Sequence, residues 1–354
     1  LTATPMYNRV TEVLWILNMM LLNDNRPTLN KKDIFGQDGE LTKKGEDIIK
    51  DKCRGYVSYL RGENPITFPI RLYPNQLKYY PSKNIINNKS SPQLNLVGGK
   101  IKESDKLQFL NLFGSRLVKN GLQVQIYKKS IKELLDKNPD IDIDARGEMN
   151  PILDNIVLTQ ITDMVYPSEK DDINDINEFY GEKGLKNCMN RSGSKYTYKK
   201  KILDTYGPIF DKDILPQFSC KIASIIESVD ESEGIVFIYT NYINSGIIPL
   251  QLALEQNGYK KHTGEPSLKY PDWTSSSDNI KTKREPMSFN GLKKSQVTDR
   301  FIQGKYMVID GSTSKKILQH QLKIINSDEN RYGEKIKIVI GTVVAILAQA
   351  FGFI

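Results

Sequence analysis

Apolar residues recur at helical spacing early in the chain. Val13, Leu14, Ile16, Leu17, Met20 and Leu21 share one broad face over 11–22. A helix is expected there, entered through a turn built on Pro5, Asn8 and Thr11. Residues 23–45 are rich in Asn, Asp, Gly and Lys, with a turn at Gln37-Asp38-Gly39. A second helix is expected over 45–60, charged along one side and stopped by Gly62 and Pro65. Between 75 and 215 the pattern loosens. Asn-, Lys- and Ser-rich stretches such as 82–91 alternate with modest apolar runs, and acidic and Asn residues crowd 168–178. This part predicts an inserted, partly helical region with flexible loops, and no internal repeat is visible.

From about 216 the pattern becomes α/β. Helical periodicity covers 219–229, and the run Gly-Ile-Val-Phe-Ile-Tyr-Thr at 234–240 is a short buried strand by its β-branched and aromatic content. A helix over 245–257 closes at Gly258, in the position where helices stop. A long polar segment, 260–303, precedes a strand at 306–309, a helix at 315–325 and a strand at 336–340. Strands alternating with helices predict a parallel sheet, whose ligand-handling loops follow the carboxyl ends of the strands. Those loops begin at Tyr239-Thr240-Asn241, Asp310-Gly311 and Gly341-Thr342.

The bulk properties describe an ordinary globular chain: 354 residues, 39% hydrophobic and 26% charged, with a mean hydropathy of -0.45. A formal charge of +8 and a pI near 9.0 point toward a polyanionic partner. Cys53, Cys188 and Cys220 lie far apart with no CxxC pair, so neither a disulfide framework nor a zinc site is indicated. With only His262 and His320, a histidine-based catalytic or metal site has little material. The uncharged run at 338–354 is at the lower edge of what spans a bilayer. A C-terminal anchor competes there with a buried strand, and Gly341-Thr342, breaking the run where a strand should end, favours the strand.

Basic residues also cluster around aromatics. Lys183, Lys186, Arg191, Lys195, Lys199, Lys200 and Lys201 surround Tyr196 and Tyr198, a pattern that suits backbone tracking with base stacking. A flexible basic loop with no partner is the competing reading. A second stretch holds Lys281, Lys283, Arg284, Lys293 and Lys294, for which disorder is the expected explanation.

Three stretches together resemble one family, the superfamily 2 (SNF2-like) helicases of large cytoplasmic DNA viruses, the group of the poxvirus early transcription factor small subunit and nucleoside triphosphatase. Leu1-Thr2-Ala3-Thr4-Pro5-Met6-Tyr7-Asn8 resembles motif III, the Ser/Thr-Ala-Thr element. Gly55-Tyr56-Val57-Ser58-Tyr59-Leu60-Arg61-Gly62-Glu63-Asn64-Pro65, continuing through Thr67-Phe68-Pro69 and Arg71-Leu72-Tyr73-Pro74, resembles the segment after it and is the most specific of the three. The run 235–241 is similar to motif IV, Lys305 to Gly311 to a later strand of the family, and Gly333 to Ile338 to the lead into motif V.

The resemblance implies an α/β fold. The end of a first RecA-like domain would occupy 1–75, a mostly helical insertion 76–215, and an incomplete second RecA-like (helicase C-terminal) domain 216–354. It implies an ATP-dependent nucleic-acid helicase or translocase. Thr2, Ala3 and Thr4 would couple hydrolysis to domain closure. Tyr239, Thr240, Asn241, Asp310, Gly311, Gly341 and Thr342 would grip nucleic acid, with Lys195, Lys199 and Lys200 added on charge grounds. ATP and Mg²⁺ are expected in the intact protein and none in this chain alone, because no G-x-x-x-x-G-K-[ST] loop, acidic Mg²⁺ motif or arginine motif is present. The family places those elements upstream of motif III and downstream of motif V. After Ala345 the expected Ser-Glu-Gly run is replaced by Ile346-Leu347-Ala348-Gln349-Ala350-Phe351. The expected partners are DNA or RNA and viral transcription machinery, with no membrane, in the virion or the host cytoplasm. The alternative is a catalytically inactive nucleic-acid-binding subunit of a viral transcription complex.

Overall fold

A computed structural model describes residues 11–36, 41–58, 85–86, 100, 112–137, 156–169, 173, 175–269, 284–311 and 313–342. Thr2, Ala3, Thr4, the string from Tyr59 to Pro74 and most of the 338–354 run lie outside the described residues. The chain divides into two compact units, 1–70 and 71–353, taken here one at a time.

In the first unit, α1 (Glu12–Asn23) buries Leu14, Leu17 and Leu21, one stripe of the predicted helical face. Leu14 packs with Phe35 and with Ile34 of α2 (Lys31–Ile34). Asn18 fixes the connection from both sides: its Nδ2 donates to the Leu29 carbonyl at 2.9 Å, and its Oδ1 accepts the Leu29 N–H at 2.7 Å. The Thr42 hydroxyl caps α3 (Lys43–Lys52), accepting the Gly45 N–H at 2.9 Å. This helix stops at Lys52, short of the expected Leu60. The chain turns over Cys53 to Tyr56, and Gly55 takes a φ of 87°, a helix-ending conformation that glycine adopts without strain.

The second unit opens with the short antiparallel pair β1 (Ile85–Ile86) and β2 (Leu112–Phe113), then α4 (Leu122–Lys137) and α5 (Ile156–Asp163). There follow α6 (Gly181–Cys188), the hairpin of β3 (Met189–Ser192) and β4 (Lys195–Tyr198), α7 (Lys200–Tyr206) and α8 (Cys220–Glu231). The α/β part runs β5 (Val236–Tyr239), α9 (Ile248–Gln256), β6 (Lys260–Lys261), β7 (Leu268–Lys269), β8 (Lys305–Ile309), α10 (Lys315–Ile325) and β9 (Ile338–Gly341). Four strands form a wholly parallel sheet in the order β5-β9-β8-β6, and β3-β4-β7 form a separate sheet. The predicted α/β pattern is therefore present, in an arrangement consistent with a RecA-like fold. The polar segment 260–303 is not featureless, since it supplies β6 and β7, too short for a periodicity to show.

Both faces of the parallel sheet are covered, which explains the unbroken apolar runs of its strands. Ile238, Tyr306, Ile338 and Ile340 join a large cluster that also holds α8, α9 and residues back to Met164. Met307, Ile309 and Val339 face the other way, onto Leu318 and Ile325 of α10. Glu255 of α9 ties the two sheets together: its carboxylate accepts the Ser267 N–H at 3.0 Å, the Leu268 N–H at 2.6 Å and the Tyr306 hydroxyl. Among the described residues no helix is long and apolar enough to cross a membrane.

Candidate nucleic-acid interface

Parallel pairing places the ends of three strands side by side. Tyr239 and Ile309 are both in register with Gly341. The loops continue the ladder: the Thr240 N–H donates to the Gly341 carbonyl at 3.1 Å, and the Thr342 N–H to the Ile309 carbonyl at 3.3 Å. Tyr239, Thr240, Asn241, Asp310, Gly311, Gly341 and Thr342 thus share one edge, where parallel sheets handle ligands.

The members of this edge differ in what they offer. The Tyr239 side chain is 49% exposed, and its hydroxyl donates to Asn241 Oδ1 at 2.7 Å. Asn241 itself is exposed. Thr240 is buried at 9%; its hydroxyl accepts the Tyr242 N–H at 3.4 Å and faces Gly246. It shapes the loop rather than presenting a side chain. Asp310 and Thr313 close a tight turn: the Asp310 N–H donates to Thr313 Oγ1 at 3.1 Å, and the Thr313 N–H to the Asp310 carbonyl at 3.0 Å. Gly311 sits exposed at its tip, with open space where a Cβ would be.

Beside the β5 end lies a cleft of about 200 Å³, lined by Thr159 and Asp163 of α5, Lys221 of α8, residues Tyr239 to Tyr242, and Ser245. Its size suits one ring or one phosphate better than a whole drug-sized ligand. A π-helical turn, Ile243–Ile247, leads from this loop into α9. The Ser245 hydroxyl donates to Gln160 Oε1 at 3.1 Å, and the Tyr166 hydroxyl to the Asn244 carbonyl at 2.5 Å. Lys221 forms a salt bridge with Asp163, whose carboxyl is pushed up by burial and pulled back by that ammonium. The lining residues Thr159, Asp163 and Lys221 carry no sequence signal, because the chain brings them to the β5 end only through folding.

The basic stretch of 180–201 lies on other elements. Lys195 is on β4, paired with Glu265 at 3.8 Å; Lys199 precedes α7, paired with Glu169 at 3.7 Å; and Lys200 opens α7. Lys183 and Lys186 also have carboxylate partners. Tyr196 and Tyr198 are 6% and 1% exposed, and the Phe210 N–H donates to the Tyr198 hydroxyl at 3.3 Å. These rings anchor the hairpin to the core, so the base-stacking role suggested by their spacing does not hold.

The implied cofactors can be tested against the residues present. No group of three His, Cys, Asp or Glu side chains that could hold a metal ion gathers among the described residues, and the sequence contains no phosphate loop. Among the described residues, then, no set of side chains is gathered that would hold Mg²⁺ by protein ligands alone.

No family model matches the chain. Three curated viral proteins are similar to it. One, named "Putative ATP-dependent RNA helicase" from Acanthamoeba polyphaga mimivirus, is 23% identical over 394 residues, covering 97% of this chain and 29% of that protein. A second mimivirus protein of the same description is 21% identical over 332 residues, covering 89% of this chain and 44% of the relative. A protein of Invertebrate iridescent virus 3 named "Putative helicase" is 26% identical over 352 residues, covering 96% of this chain and 28% of the relative. The chain spans less than half the length of each. The likeness is to viral proteins with helicase names, at low identity.

Proposed function

We propose that this chain is the nucleic-acid-gripping part of an ATP-dependent viral helicase or translocase of the SNF2-like superfamily 2 type, in the poxvirus early transcription factor and nucleoside triphosphatase group. The observation that carries this reading is the shared edge at the ends of β5, β9 and β8, where Tyr239, Asn241 and Gly311 stand exposed around polar backbone. Likeness to viral proteins with helicase names over nearly the whole chain supports it. In the longer protein, ATP and Mg²⁺ would be held by elements outside the described residues, and Thr2 and Thr4 would tie hydrolysis to closure of two RecA-like domains. Tyr239 and Asn241 would hold a base and a phosphate, while Thr240 keeps their loop in place and Gly311, Gly341 and Thr342 offer backbone. Lys195 and Lys199 would add charge by exchanging a carboxylate for phosphate, an easy exchange for the exposed Lys195–Glu265 pair because such pairs are worth only about 0–1 kcal/mol, and Lys200 would add charge from the start of α7. The setting proposed is viral transcription, in the virion or the host cytoplasm.

The 354-residue chain is expected to bind single-stranded RNA or DNA with an affinity that falls as salt rises, and to show no nucleic-acid-stimulated ATP hydrolysis. Stimulated phosphate release by the purified chain would sink the division of labour, and absence of oligonucleotide binding at low salt would sink the reading itself.

A further inference from the structure

The edge described above is polar and aromatic but poor in free positive charge. Its one lysine, Lys221, is paired with Asp163, and Asp310 adds an acid. A polyanion held there needs cations nearby, because phosphate binding draws its affinity from counterion release. The fold supplies them on the next element. The turn at Asp310 leads directly into α10, whose Ser314 cap accepts the Ile317 N–H. Lys316, His320 and Lys323 follow at i, i+4 and i+7, all exposed, while Leu318, Gln321 and Ile325 face inward. Lys316 and Lys323, with the His320 imidazole between them, therefore form one stripe about 10 Å long on the outer face of the helix.

Two features separate this stripe from an ordinary solvated face. The first is a comparison within the chain. Three other helices pair one of their lysines with an acid one turn away: Lys50 with Glu46 in α3, Lys129 with Glu133 in α4 and Lys186 with Glu182 in α6. α10 contains no acid at all, and Lys316 and Lys323 make no ion pair among the described residues. The second is position. Lys316 stands in the first turn, where the helix dipole disfavours a cation, and no acid offsets it. Helix stability would select the opposite charge there.

We propose that the outer face of α10, through Lys316, His320 and Lys323, is a phosphate track that carries single-stranded nucleic acid away from the strand-end edge. This inference rests on the nucleic-acid reading above and extends its footprint to an element that reading did not include. The track is blind to sequence, since side-chain cations meet only backbone phosphates.

The test compares three proteins, the wild-type chain, Lys316→Glu/Lys323→Glu and Tyr239→Ala/Asn241→Ala, each titrated against a fluorescent twenty-nucleotide oligo(U) over a range of salt. Glutamate suits the helix dipole at 316 and opposes it at 323, in the last turn, so the two effects offset and the α10 variant should melt near the wild-type temperature. Its dissociation constant should rise at least about tenfold near 0.1 M salt, and the slope of log K against log salt should become shallower by about 1.4, two phosphate contacts at roughly 0.7 each. An unchanged constant and slope for the α10 variant, with binding lost in the strand-end variant, overturns the track and leaves the edge reading standing. Loss in the α10 variant alone upholds the track and removes the edge. Unchanged binding in both variants overturns both. The same proteins are tested with a fluorescent polyglutamate peptide. If the α10 variant loses only that peptide while oligo(U) binding is kept, the face belongs to an acidic protein and the track is overturned.

Discussion

Gly246→Ala is expected to destabilise the second unit by about 3 kcal/mol, at the upper end of what overpacking costs. A Cβ at 246 would lie 1.9 Å from the Thr240 hydroxyl oxygen, 2.9 Å from its Cβ and 3.0 Å from its methyl carbon. None of these is the free end of a flexible side chain. Thr240 is buried, and its backbone is held to Gly341 by the sheet ladder. The π-helical turn on the other side is fixed by the Ser245–Gln160 and Tyr166–Asn244 hydrogen bonds. The loop must therefore move, and it carries Tyr239 and Asn241 with it. Adding Thr240→Ala gives the sharper outcome. In the wild-type background this change costs stability, because Thr240 Oγ1 accepts the Tyr242 N–H. In the Gly246→Ala background it should restore part of what was lost, since only the contact to Cβ remains. Denaturant unfolding of the four proteins measures the coupling. Additive effects would show that Thr240 and Gly246 do not lock each other.

The second large effect concerns Lys337, which is fully buried at 0% exposure just before β9. Its amine donates to the Ser232 carbonyl at 2.6 Å and the Gly234 carbonyl at 2.7 Å. Burial lowers its pKa from 10.5 to about 8, with Glu233 opposing. A neutral amine has two N–H donors, and the site has two acceptors. Because the folded pKa lies below the unfolded one, the unfolded chain binds more protons between pH 8 and 10.5. Stability from this group therefore rises with pH across that window. From pH 7 to pH 10 the gain is roughly 2.5 kcal/mol. Lys337→Met removes the titration and leaves both carbonyls without a donor. Relative to wild type it should be far more destabilising at pH 10 than at pH 7. A stability difference between the two proteins that is flat with pH would contradict this account of the buried amine. Buried tyrosines such as Tyr259 and Tyr306, whose hydroxyls burial also shifts upward, are present in both proteins and cancel.

Which parts of this molecule were legible in the sequence follows from the range of the forces involved. The helix at 315–325 and the strands near 236, 306 and 338 lie where local periodicity put them, because each buries a continuous apolar face. The caps Ser219 and Ser314 act within three residues, accepting from Ile222 and Ile317. The early end of α3 was missed because its stop signal is Gly55, inside the expected helix, rather than Gly62. Tyr196 and Tyr198 were misread because alternation of basic and aromatic residues looks alike on a nucleic-acid surface and on a hairpin with one buried face. The strand-end residues themselves were legible as a group, since parallel topology places strand ends together. That Thr240 faces inward while Tyr239 and Asn241 face outward depends on Gly246, and the cleft wall depends on Asp163 and Lys221 from distant helices. Pairing of charges was not legible either: Lys183, Lys186, Lys195 and Lys199 of the 180–201 cluster have carboxylate partners, which depend on contacts the local sequence does not show.

The most direct test of the central claim is the affinity of the 354-residue chain for single-stranded oligonucleotides, with and without Tyr239→Ala/Asn241→Ala. Both side chains are exposed, so the double variant should melt within about 2 °C of wild type, as surface changes usually cost under 0.5 kcal/mol. Binding to both oligo(U) and oligo(dT) should weaken by at least about tenfold, given that a stacked base is worth roughly 1–3 kcal/mol. A folded double variant that binds both oligonucleotides as tightly as wild type would contradict the claim that the β5, β9 and β8 edge is where this protein holds nucleic acid.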